Sequence, residues 1–94
     1  MSDNETIAEA MAELTRARKK FPSWPIDPLH AVAILNEEIG ELNQAILEHA
    51  YEPDKSSRED VKKEALQSLC MCIRFLNSMD VYEFKEGKQH EQKS

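Results

Sequence analysis

The sequence predicts an all-α fold: an antiparallel bundle of two long helices plus an N-terminal helix, completed by oligomerisation. Three observations carry this expectation. The chain holds only two glycines and four prolines in 94 residues, so it has few turns. Apolar residues recur at helical spacing over three segments, while the β-branched and aromatic residues are too scattered to form alternating strands. A domain of this length buries only about 60–65% of its unfolded surface. Two or three long helices therefore leave apolar faces for a partner subunit.

The first helix is expected over residues 4–20. Asp3 or Asn4 supplies its cap, and Ile7, Ala10, Met11, Leu14 and Ala17 form its apolar stripe. Arg16, Arg18, Lys19 and Lys20 end it, where cations suit the helix dipole or meet a phosphate. Phe21 to Pro28 then carries three prolines, which exclude helix, together with the single Trp. This aromatic loop reads as a lid over a helix pair, or as part of the lining of a small-molecule pocket. Asp27 followed by Pro28 is a helix start, and the second helix is expected over 28–51. Its stripe is Ala31, Leu35, Ile39, Leu42 and Ile46. Gly40 in its middle costs about 1 kcal/mol against Ala, unless a neighbouring helix or a phosphate approaches closely there. Ser56 with Glu59 resembles a capping box, and the third helix is expected over 57–78. Its apolar set, from Val61 to Met79, is wide enough to pack on two sides, against the second helix and a partner subunit. Cys70 and Cys72 point to nearly opposite sides of it and read as buried structural thiols. Residues 1–80 form the helical domain, and 81–94 a short helix or a disordered charged tail.

Net charge is −6, and no basic stripe exists, which argues against nucleic-acid binding. There is no run of 18 apolar residues and no basic, apolar leader, so a cytoplasmic protein without membrane contact is expected.

The chemistry centres on Asn36 to Ala45. Glu37, Glu38 and Glu41 share one helical face, where like charges repel and no lysine intervenes. A bound divalent cation relieves that repulsion, and Mg²⁺ takes carboxylate oxygens together with substrate phosphates. Antiparallel packing brings this face opposite Asp60, Glu64 and Gln67 of the third helix. The bland account of the cluster is a solvated acidic surface. Sequence patterns for a di-iron bundle, a P-loop, a dinucleotide fold or a Ser/His/Asp set are missing.

Glu37-Glu38-Ile39-Gly40-Glu41-Leu42, followed after a break by Glu64-Ala65-Leu66-Gln67, resembles the MazG-like all-α nucleoside triphosphate pyrophosphohydrolases. The family signature is Glu-Glu-x-x-Glu, a spacer, then Glu-x-x-Asp; here Gln67 stands in place of the last Asp. The context looks like a compact subtype carried on mobile gene cassettes and phages. The resemblance covers roughly residues 10–80. It implies Mg²⁺-dependent hydrolysis of (deoxy)nucleoside triphosphates to monophosphate and pyrophosphate, as house-cleaning of the nucleotide pool. It also implies a homodimer or dimer of dimers. By motif position, Glu38, Glu41 and Glu64 are metal ligands, and Gln67 is a neutral fourth donor or orients a water. Glu37 supports them or acts as base. Lys19, Lys63 or Arg74 would hold the departing pyrophosphate, and Trp24, Phe21 and His30 would contact the nucleobase. Two alternatives stand beside this reading. One is a non-catalytic helical oligomerisation module with an acidic face; the other is a sister activity on phosphoribosyl-ATP.

Overall fold

A computed structural model describes residues 1–84 of the chain, all of whose regular structure is helical. Helix α1 spans Asp3–Lys20, α2 spans Pro28–Tyr51 and α3 spans Arg58–Asn77. The spine is α3. Both α1 and α2 pack against it, and the backbones of α1 and α2 do not come close to each other. The width of the α3 apolar set thus serves two neighbours within one chain: α2, as expected, and α1 on its other side.

Local chemistry sets the helix ends. Asp27 caps α2 as expected, its carboxylate accepting from the Leu29 amide at 2.9 Å with Pro28 beginning the helix. The other two caps differ from expectation. Ser2, rather than Asp3 or Asn4, caps α1 in a reciprocal box with Glu5. Ser57 with Asp60, rather than Ser56 with Glu59, does the same for α3. The turn after α2 decides this second case. It buries Ser56, whose carbonyl lies 2.9 Å from His49 Nδ1, and leaves the next serine at the helix start.

The core is small. Leu14 and Ala17 of α1 meet Cys70 and Met71 of α3, with Ile34, Leu35, Ile73 and Trp24 packed around them. Cys70 is fully buried, its thiol donating to the Ala10 carbonyl at 3.4 Å. Cys72 is exposed, not buried as expected, because a residue two positions on points about 200° round the helix from the α1 groove.

Arg74 locks the proline-rich loop onto α3. Its guanidinium is buried, donates to the carbonyls of Phe21 and Ser23 at 2.8 and 3.1 Å, and stacks 4.9 Å from the Trp24 ring. Trp24 in turn donates to the Tyr82 hydroxyl at 2.8 Å, and Tyr82 donates to the Phe75 carbonyl. The chain after α3 therefore turns back. Glu83 N–H bonds to Ile26 O at 2.9 Å, and residues 80–84 form a turn and a docked stub rather than a helix. Residues 85–94, the remainder of the expected tail, lie outside the described residues.

Among the described residues, no helix is long and apolar enough to cross a membrane. Beyond its own stretch of α2, no atom of the described residues lies within 4 Å of a Cβ built on Gly40, so no neighbouring helix of the subunit approaches closely there. Replacing Gly40 with Ala should therefore raise stability by about 1 kcal/mol. Urea unfolding of the G40A variant measures this, and an unchanged or lower midpoint contradicts it.

Candidate metal centre

The buried face of α2 begins with Ala31 and ends with Ala45, both almost fully covered. Between them, at helical spacing, stand Glu38 and Glu41 where apolar residues would ordinarily continue the stripe. On α3 the position facing them holds Glu64, whose backbone carbonyl accepts from the buried Ser68 hydroxyl one turn later. Two packed helices thus turn carboxylates toward each other across their interface. One oxygen from each of Glu38, Glu41 and Glu64 lies within 4.8 Å of the others. Glu38 and Glu64 are half-buried and Glu41 is exposed, so the cluster sits at the mouth of the interface.

That proximity has an electrostatic signature. The Glu38 carboxyl is pushed up to about 7, first by burial, then by the charge and hydrogen bond of Glu41, and then by the charges of Glu64 and Glu37. Three hard oxygen donors converging at this spacing fit Mg²⁺, which takes carboxylate oxygens and retains waters for the rest of its shell.

Gln67, one turn beyond Glu64, reaches the other way. Its amide nitrogen donates to Glu13 of α1, which also accepts from Arg16 Nε at 3.0 Å. The Arg16 hydrogen bond, followed by that of Gln67, holds the Glu13 carboxyl below the usual carboxylate range. Glu13 was absent from the sequence-based candidates. The signal was present: residue 13 falls at i+3 from Ala10, inside the stripe of Ala10, Leu14 and Ala17, and a carboxylate there interrupts a buried face.

The remaining candidates are spread around this centre. Glu37 is exposed and acts on Glu38 only through its charge. Asp60, which the sequence places in the shared cleft, instead spends its carboxylate on the Ser57 amide at the start of α3. Lys63 lines a cavity of about 110 Å³ between α1 and α3 with Glu9, Glu13, Glu59, Lys62 and Leu66. Arg74 and Trp24 hold the loop as described above. With Arg18, Pro22, Asn77 and Ser78 they line a separate groove of about 270 Å³. Ten residues separate Arg74 from Glu64, about 15 Å of helix. Burial, followed by the nearby Arg18 guanidinium, lowers the basicity of Arg74. Lys19, Phe21 and His30 are exposed, and the Lys20 ammonium lies 5.5 Å from the Phe21 ring centroid.

Among known proteins, no family model, curated protein or solved structure matches this chain.

Because the folded state holds the Glu38 proton more tightly than the unfolded chain, stability is present at low pH and lost as pH rises from the ordinary glutamate value, about 4.3, toward about 7. The melting temperature of the metal-free protein should fall across that window, and Glu38→Gln should remove most of the slope. Identical pH profiles for the two proteins would contradict this.

Proposed function

We propose that the chain hydrolyses (deoxy)nucleoside triphosphates to the monophosphate and pyrophosphate with Mg²⁺, as house-cleaning of the nucleotide pool. The observation that carries this reading is the placement of Glu38, Glu41 and Glu64 on the facing sides of α2 and α3, with oxygens close enough to share one ion. A solvated acidic face has no reason to turn its carboxylates into a helix interface, where burial and mutual repulsion oppose ionisation. The motif resemblance supplies the substrate class. The donor geometry is compatible with it.

In this reading Glu38, Glu41 and Glu64 would hold the cation, and Gln67, whose amide donates to Glu13, would turn toward them to serve as a neutral donor. Mg²⁺ bound there supplies charge neutralisation for the triphosphate and makes water a better nucleophile near neutral pH. A carboxylate of the set, or Glu37 at its edge, accepts the proton of the attacking water. The water oxygen bonds to the α-phosphorus as the bridge to the β-phosphate breaks and pyrophosphate departs. Gly40, with open space above it, leaves the backbone of α2 approachable by a phosphate next to the ligands. Lys63 is the basic candidate nearest Glu64 in the chain, and Lys19 is a more distant one.

The active unit is a homodimer or a dimer of dimers. A single subunit leaves Leu69, Cys72 and Leu76 of α3 exposed at helical spacing, Met79 exposed just beyond its end, and Ile39, Ile46 and Leu47 of α2 exposed as well. Covering such faces is the usual drive for helical subunits to associate.

Pyrophosphate release, assayed over a panel of nucleotides with Mg²⁺, tests the activity. Wild type should release pyrophosphate from at least one triphosphate, and E41Q and E64Q should fall to background with unchanged helical circular dichroism. Wild-type turnover in both variants would overturn the catalytic reading. No release from any nucleotide would favour a helical interaction module. Sedimentation at micromolar concentration should show a dimer or larger species, and a compact monomer contradicts the assembly.

A further inference from the structure

Two helices bring arginines to one groove. Arg18 stands in the last turn of α1 and Arg74 in the last turn of α3, and both line the groove of about 270 Å³ with Trp24, Asn77 and Ser78. No carboxylate lines it, and none of the ion pairs among the described residues involves either arginine. Burial, followed by the charge of Arg18, lowers the basicity of Arg74, so the two guanidiniums repel each other. Structural duty uses only part of their charge. Arg74 donates to Phe21 and Ser23 through Nη2 alone, and among the described residues its Nε and Nη1 donate to nothing. Neither nitrogen is sealed off, because Ser56 Oγ is the one fully enclosed side-chain polar atom there without a partner. Each helix C-terminus carries about half a negative charge. Two such ends offset about one of the two positive charges and leave about one over.

We propose that this groove binds a phosphate group, held between Arg18 and the free donors of Arg74, at a site separate from the carboxylate cluster. The planar guanidinium of Arg18, exposed and without a partner, matches two phosphate oxygens. Asn77 and Ser78 add a neutral amide and a hydroxyl to the lining. The Trp24 indole N–H is committed to Tyr82, so its ring forms a wall of the groove rather than a donor. The groove is large enough for a hydrated phosphate. It lies about 15 Å of helix from Glu64, so the assignment depends neither on nucleotide turnover nor on a bound cation. A chain of net charge −6 has no general attraction for anions, and a saturable response to phosphate therefore reports a local site.

Trp24 is the single tryptophan of the chain, so its fluorescence reads occupancy of the groove directly. The metal-free full chain is titrated with inorganic phosphate, with pyrophosphate, and with acetate at matched ionic strength. Both phosphates should change the Trp24 emission saturably and raise the melting temperature. Acetate, with a single charge, should bind about tenfold more weakly. Arg18→Gln alters an exposed side chain that pairs with nothing, and should weaken phosphate binding by about tenfold or more. Lys55→Gln removes an equal charge in the turn before α3 and should leave binding within about twofold of wild type. No saturable response to either phosphate, an equal response to acetate, or equal losses in R18Q and K55Q would overturn the proposal. Arginines that only fasten the loop and suit the helix ends would give the first of these results. A chain that turns over no nucleotide but answers phosphate in this way would refute the catalytic reading above and leave this site standing.

Discussion

Repulsion between carboxylates held on opposing helices is the constraint on which the rest of this structure turns. Glu38 and Glu41 occupy positions of α2 that face α3, and Glu64 faces back from α3. Apolar residues at those three positions would bury more surface and avoid the cost of crowding like charges. The sequence accepts a proton on Glu38 near neutral pH instead. A local arrangement that opposes stability within an otherwise consistent helical design is what a functional site looks like in physical terms.

The architecture around that site follows from α3. One helix serves two neighbours: α2 brings the acidic residues, and α1 brings the apolar contacts of Leu14 and Ala17 together with Glu13. Arg74 fastens the proline-rich loop and, through Trp24 and Tyr82, the chain beyond α3. The position of α1 against α3 and the orientation of Gln67 are thus parts of one packing arrangement.

Much of this was legible in the sequence because it depends on local chemistry. The span of α2 follows from Asp27-Pro28 at one end and the Pro53 break at the other, and both act within a turn. The convergence of Glu38, Glu41 and Glu64 follows from helical spacing plus antiparallel pairing across a short break. Two features were not legible, and a third, Glu13, was legible only as an interruption of a stripe. The choice between Ser56 and Ser57 as cap depends on how the turn buries one of two adjacent serines. The engagement of Trp24 and Arg74 with each other depends on contacts between residues about fifty positions apart. Glu13 was passed over because apolar periodicity records what a stripe contains and skips the polar residue within it. A carboxylate inside a buried stripe carries as much information as the apolar residues flanking it.

The most direct measurement of the central claim is the anomalous difference density of a crystal soaked in Mn²⁺. One peak should appear between α2 and α3, within coordination distance of oxygens from Glu38, Glu41 and Glu64. Side chains that turn away from one another around an empty interface, or a peak bound only elsewhere on the surface, would contradict the account.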